Sequence, residues 1–164
     1  MTSYVPLWCK TNFSFLEGAS HPEELVEAAA RLGITTLAIT DRDGVYGVVR
    51  AHVRAREVGV RLLLGAEVRV ADDSGETGGA TSALVLLAEN KAGYGNLCQL
   101  LTTGHLRAPK GACYLGWRDI AARAENLVAL WGGPKSLLTR EEAPGLDGAA
   151  SLLREAFGAR LYAM

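Results

Sequence analysis

Short apolar runs alternate along the chain with longer segments whose apolar residues recur at helical spacing. Tyr4 to Cys9 reads as a first strand. After a polar loop, Ser20 is placed as a helix N-cap, with Glu23 three residues on completing a capping box and Pro22 in the first turn. Leu25, Ala28, Ala29 and Leu32 then share one face of that helix, and Gly33 ends it. Ile34 to Thr40 is β-branched and apolar, a buried strand. Val45, Val48, Val49, His52 and Val53 fall on one helical face, stopped by Gly59. Arg61 to Val70 reads as the next strand. Ala71 to Ser82 has the composition of a turn-rich surface loop. Ala83 to Ala88 is another buried strand. Tyr94, Leu97, Cys98 and Leu101 mark a helix. A loop around Pro109 to Tyr114, a short helix from Trp117, a strand at Leu127 to Trp131, a helix near Gly148 to Phe157 and a last strand before Met164 complete the chain.

The order is β-α-β-α-β-β-α-α-β-α-β. Strands that are apolar throughout and alternate with helices imply a mainly parallel α/β sheet, either open or closed into a barrel. A chain that stops on an apolar strand leaves an edge to be covered, so the natural domain is expected to continue beyond Met164.

Composition changes this picture little. The chain has 164 residues, enough for one compact domain spanning 1–164. Its net charge of −1 gives no bulk attraction to nucleic acid. The three cysteines, Cys9, Cys98 and Cys113, lack metal-site or paired spacing, which argues against a disulfide framework and for a reduced, cytoplasmic compartment. Neither a signal peptide nor an apolar stretch of membrane-spanning length is present, so no membrane partner is expected.

Candidate chemistry sits at the carboxyl ends of the strands, where parallel α/β folds bind ligands. The first strand ends at Trp8, Cys9 and Lys10, with Glu17 in the loop beyond. The second ends at Asp41, Arg42 and Asp43. Glu67 lies on the third, and Gly132 and Gly133 follow the fifth. Four carboxylates and two cations are thus expected to converge. Bunched carboxylates need a compensating positive charge. One arrangement is an oxygen-rich magnesium or manganese site on Asp41, Asp43 and Glu67. The other is a structural ion-pair cluster with Lys10 and Arg42, and it is favoured because two cations would compete directly with a metal. His21, His52 and His105 all fall on or beside helices, away from the strand ends.

Other motifs carry less. Gly132 to Ser136, "GGPKS", resembles the tail of a phosphate loop. Its first glycine would fall on Val128, however, and Pro134 has no N–H to offer phosphate. Arg50, Arg54 and Arg61 form a basic stripe. A solvated helix face is the favoured account, and nucleic-acid contact through Arg50 and Arg54 the alternative. Strand alternation turns Cys9 away from Trp8 and Lys10, so a buried inert thiol is expected there.

Three stretches carry a resemblance: "FSFLEGAS", "TDRDGVYG" and "GYGNL", in that order. Together they closely resemble the start of bacterial C-family DNA polymerases, the polymerase III alpha-subunit family, whose N-terminal domain is the PHP (polymerase and histidinol phosphatase) domain. "LWCK" and "TDRDGVYGVVRAH" are most similar to its error-prone, damage-tolerant branch. The resemblance implies a (β/α)7 barrel, incomplete at the C-terminus of this chain. It places the family's H-x-H ligands on Trp8 and Lys10, its "L-D-G" carboxylate on Glu17, and the histidine of "T-D-H" on Arg42. Its "G-x-E" glutamate is kept as Glu67, its fourth-strand histidine falls near Ala83, and its "S-G-C" cysteine falls on Gly133. The implied site is therefore degenerate. A retained metal, if any, would rest on Glu17, Asp41 and Glu67. No cofactor is expected in this chain, and magnesium is expected in the longer polymerase. The implied partners are the remainder of the polymerase chain, primer–template DNA, the sliding clamp and translesion accessory proteins. The expected role is structural, within an enzyme of translesion replication and repair. The alternative is a metal-dependent phosphoesterase or proofreading nuclease using Glu17, Asp41, Asp43 and Glu67.

Overall fold

The structure, a computed structural model, describes residues 4–71, 82–141 and 143–164. Most of the expected turn-rich loop, 72–81, lies outside the described residues. The chain divides into two compact units, Met1–Glu67 and Val68–Met164.

In the first unit, helix α1 (Pro22–Arg31) precedes strand β1 (Thr36–Arg42), then helix α2 (Val48–Val58) and strand β2 (Arg61–Ala71), which runs on into the second unit. β1 and β2 are parallel, from Thr36 opposite Arg61 to Arg42 opposite Glu67. That register sets Arg42 and Glu67 side by side at the carboxyl end. α1 and α2 pack on one face of the pair, burying Val26, Ala29, Leu37, Ile39, Ala51, Ala55 and Val60.

Several expectations need correction here. The N-cap of α1 is His21, one residue later than Ser20. Its backbone N–H donates to the Glu24 carboxylate at 2.7 Å, so Glu24 takes the closing role expected of Glu23. The expected faces hold in part, with Ala29 and Val48 buried and Leu25 packed on the core, but each helix is turned from the rest of the expectation. Leu32, Val49 and Val53 are exposed, and Val26, Ala51 and Ala55 are buried instead. Alanines let the two helices approach closely, and that close packing outweighs the larger burial a valine would bring.

The expected first strand, Tyr4 to Cys9, forms no regular ladder. It runs beside β1 through two backbone bonds, Ala38 N–H to Pro6 O at 2.9 Å and Thr40 N–H to Cys9 O at 2.8 Å. The donors are two residues apart and the acceptors three, so the segment carries one extra residue, as in a bulge. Pro6 also has no N–H with which to return a bond.

In the second unit, Val70 and Ala71 of β2 pair in parallel with a two-residue strand β4 (Leu115–Gly116). β3 (Ser82–Ala88) leads into helix α3 (Lys91–Arg107), and helix α4 (Trp117–Ala122) leads into β5 (Leu127–Trp131). After a 3-10 turn at Leu137–Thr139, helix α5 (Leu146–Phe157) precedes β6 (Leu161–Ala163). β5 and β6 are parallel. β3 and β5 are antiparallel, a departure from the mainly parallel pairing expected. Trp131 stacks edge-on against Trp117 with ring centroids 5.5 Å apart, and its indole donates to Ser82 Oγ at 3.0 Å. Among the described residues, no helix is long and apolar enough to cross a membrane.

α3 makes one backbone approach that only glycine allows. A Cβ on Gly93 would lie 2.0 Å from the carbonyl oxygen of Asn126, whereas one on Gly95 would meet nothing within 4 Å. Gly93→Ala should destabilise the domain by about 1–3 kcal/mol through overpacking. Gly95→Ala, on the same helix, should stabilise it by about 0.5–1 kcal/mol. Urea denaturation of the two variants checks the pair, and equal shifts of the same sign would contradict the stated approach.

Candidate functional site

All the charged candidates lie in the first unit. β1 sorts them by strand alternation. Leu37 and Ile39 face α1 and α2, and Asp41 continues that side. Arg42 falls on the other side, beside Glu67. The expected four-carboxylate convergence therefore splits into two separate arrangements.

On the helix side, the Asp41 carboxylate is buried, with 1% exposure. It accepts from Thr11 N–H at 2.7 Å, Thr11 Oγ1 at 2.8 Å and Ser14 Oγ at 2.7 Å. Ser14 Oγ in turn accepts from Arg42 N–H at 2.9 Å. Asp41 thereby ties the 11–18 loop to the end of β1. Sequence reasoning missed Thr11 and Ser14. Their signal is a pair of hydroxyl residues three apart in the loop after an extended segment, where short side chains bind backbone and neighbouring carboxylates. Gly18 closes the same loop. A Cβ there would fall 2.2 Å from Thr11 O.

On the opposite side, Lys10, Glu17, Arg42 and Glu67 form a chain of charges. Lys10 Nζ reaches Glu67 Oε2 at 2.8 Å and also donates to Glu17 Oε2. Arg42 Nη1 donates to Glu17 Oε1 at 2.8 Å. Trp8 Nε1 donates to Glu67 Oε2 at 2.7 Å, and the Lys10 ammonium lies 5.5 Å from the Trp8 ring centroid, within cation–π range. Trp8 and Lys10 thus act on the same carboxylate, while Cys9 between them packs on the helical core, as alternation predicts. Burial pushes the Cys9 thiol above its ordinary pKa, which fits an unreactive thiol rather than a nucleophile.

Asp43 sits beside this chain. It takes a positive φ of 52°, and its N–H donates to Glu67 O at 2.7 Å, so its backbone fixes the glutamate's strand. Gly133 belongs to the second unit. There it has φ 77°, and its carbonyl accepts from Ser136 N–H at 3.0 Å, a turn role.

The donor set decides whether these residues suit a metal cluster. Both Glu17 oxygens are capped by cations, Glu67 Oε2 by an ammonium and an indole N–H, and both Asp41 oxygens by N–H or O–H donors. Glu67 Oε1 is buried without a hydrogen-bond donor, as are Asn12 Oδ1 and Glu23 Oε2 elsewhere among the described residues. No group of three or more His, Cys, Asp or Glu among the described residues could hold a metal ion. As arranged, the residues do not fit the cluster. The magnesium or manganese trio of Asp41, Asp43 and Glu67 fails because alternation sends Asp41 to the other side of β1.

Arg50 and Arg54 are already engaged. Arg50 pairs with Glu23, and Arg54 with Glu27 at 2.9 Å and Glu57 at 2.7 Å. Arg50 and Arg54 are therefore locally neutralised, which leaves them little charge for a phosphate backbone.

Comparison with known proteins bears on the family and the fold. A family model described as the PHP domain matches residues 7–161. An error-prone DNA polymerase of Anaeromyxobacter sp. (strain K) is 43% identical over 167 residues, covering 96% of this chain and 13% of the polymerase. That of Pseudomonas paraeruginosa PA7 is 43% identical over 162 residues, covering 99% of this chain and 14% of the polymerase. The chain thus spans only a small part of the length of these relatives. Among solved structures, a metal-dependent phosphoesterase from Bifidobacterium adolescentis superposes with a TM-score of 0.66 at 15% identity, covering 93% of this chain and 75% of that one. An amidohydrolase from Chromobacterium violaceum gives a TM-score of 0.61 at 17% identity, covering 94% and 74%. At those identities the likeness shows the fold.

Lys10→Ala should leave Glu67 buried with no positive partner, at a cost of about 3–5 kcal/mol. Adding Glu67→Gln should recover much of that loss, because the uncompensated charge is removed. Chemical denaturation of the two single variants and the double variant checks this. Additive losses would place Lys10 and Glu67 outside mutual contact.

Proposed function

Because the chain belongs to the PHP domain family, we propose that it serves an error-prone DNA polymerase as a scaffold module, with an ion-pair chain where other PHP domains carry metal. The region is homologous to the N-terminal PHP region of error-prone DNA polymerases, and in those relatives it is one segment of a far longer chain. The observation that carries the reading is Lys10, whose ammonium joins Glu17 and Glu67. An ammonium at that point satisfies two carboxylates and occupies the space a cation would need.

In this reading the module performs no phosphoester hydrolysis. The remainder of the polymerase supplies nucleotidyl transfer with magnesium on primer–template DNA, working with the sliding clamp and translesion accessory proteins in cytoplasmic replication and repair. The module's share is to stay folded and hold its neighbours in the same chain. The competing reading, a metal-dependent phosphoesterase or proofreading nuclease on Glu17, Asp41, Asp43 and Glu67, draws support from the fold shared with the Bifidobacterium protein. It requires Lys10 and Arg42 to vacate Glu17 when metal binds.

Elemental analysis of the full-length polymerase, purified without chelator or nickel resin, distinguishes them. The expected zinc and manganese content is well below one ion per chain. Hydrolysis of p-nitrophenyl thymidine phosphate should stay at background with added manganese. Lys10→Met should lower the temperature at which polymerase activity is lost while leaving its rate at low temperature unchanged. Stoichiometric metal with manganese-dependent hydrolysis would overturn the scaffold reading.

A further inference from the structure

Just outside the ion-pair chain, the loop that carries Glu17 presents an apolar tip with no internal purpose in the first unit. Phe15 is 73% exposed, Leu16 90% and Tyr46 62%, and Phe13 is 40% exposed. The Phe13 and Tyr46 rings lie 6.3 Å apart. Phe15 and Leu16 are the central residues of a four-residue turn closed by Glu17 N–H to Ser14 O at 2.9 Å. Leu16 takes φ 65°, a left-handed conformation that a turn normally gives to glycine or asparagine. A large apolar side chain therefore stands in solvent in a disfavoured backbone state.

The turn is held on both flanks. Ser14, on one side, bonds the buried Asp41. Glu17, on the other, is clamped by Lys10 and Arg42, and Arg42 Nη2 also reaches Phe15 O at 3.5 Å. The tip is thus pre-organised rather than collapsed onto the core, and pre-organisation reduces the ordering cost of binding.

We propose that Phe13, Phe15, Leu16 and Tyr46 form a docking knob for an apolar surface of the polymerase polypeptide to which this domain is joined. Three observations select that occupant. The patch is small: four side chains fall well short of the roughly 800 Å² per partner that a stable complex between separate proteins needs. A partner in the same chain needs far less, because the tether supplies a high effective concentration. Such a partner is available, since matching polymerases devote only 13% or 14% of their length to this region. The charges around the knob cancel, Lys10 and Arg42 against Glu17 and Glu67, so the basic groove that single-stranded nucleic acid requires is lacking there. The inference rests on the scaffold reading only in taking the longer polymerase as the working protein.

Hydroxyl-radical footprinting of the full-length polymerase tests it. Leu32 and Leu106, exposed at 75% and 83%, serve as internal references. Phe15 and Leu16, corrected for intrinsic reactivity, should be labelled at least fivefold less than those references, at every protein concentration and without DNA. Phe15→Asp combined with Leu16→Asn, the latter suited to the left-handed backbone, should raise labelling of Phe13 and Tyr46 severalfold. Labelling of Phe15 and Leu16 equal to the references would overturn the proposal. So would protection that vanishes on dilution, which marks a second copy, or that appears only with primer–template DNA. Metal-dependent hydrolysis in the same preparation would defeat the scaffold reading without touching the footprint.

Discussion

The first unit depends on a single ammonium. Glu67 lies on β2 with its side chain 1% exposed, and an ionised carboxylate at that depth is costly unless compensated. Lys10 supplies the compensation at 2.8 Å and the Trp8 indole adds a second donor to the same oxygen. The charge then passes outward in steps. Side-chain exposure rises from 1% at Glu67 to 15% at Lys10, 18% at Glu17 and 29% at Arg42, with signs alternating along the way. Each inner charge is thus neutralised by its neighbour, and the last cation reaches water.

Two tethers on opposite faces of β1 fix the 11–18 loop. Asp41 holds its beginning through Thr11 and Ser14. Glu17 holds its end through Lys10 and Arg42. A strand whose successive residues point to opposite sides can serve both with adjacent positions, Asp41 and Arg42. The short T-D-R sequence is therefore dense with structural duty, and Ser14 links the two tethers by donating to Asp41 while accepting from the Arg42 backbone.

Much of this was legible in the sequence, and the failures have physical causes. β5 falls at Leu127–Trp131 as read, because an apolar run flanked by polar residues and glycine leaves little freedom in its limits. Gly59 ends α2 in the left-handed state, as a glycine stop should. The opposed faces of Cys9 and its neighbours followed from alternation, whereas the two partners of Lys10 (Glu17 and Glu67) were not legible, because they come from other segments of the chain. Alternation applied to Asp41 and Arg42 would also have separated those two, but strand-end acids were treated as one group. The helix faces were partly misread, because counting apolar bulk favours Val49 and Val53, whereas close helix packing selects Ala51 and Ala55. The direction of β3 against β5 is not written in local pattern at all. Apolar runs read alike in parallel and antiparallel neighbours when both faces are covered.

The ion-pair chain is better understood as a positioning device than as a source of stability. Desolvating two carboxylates and an ammonium offsets most of what their attraction returns, and well-packed apolar residues of similar volume often serve a fold at least as well. What apolar residues cannot do is hold a solvent-exposed loop at a defined point over the sheet end. The Lys10 and Arg42 donors do this from two separate segments, and they meet the two oxygens of one carboxylate, Glu17. A bound metal cluster imposes the same constraint by drawing ligands from several strand ends to one centre. Side-chain cations form such a cross-link without dependence on metal supply or on ligand deprotonation. Here they fix the geometry of the 11–18 loop.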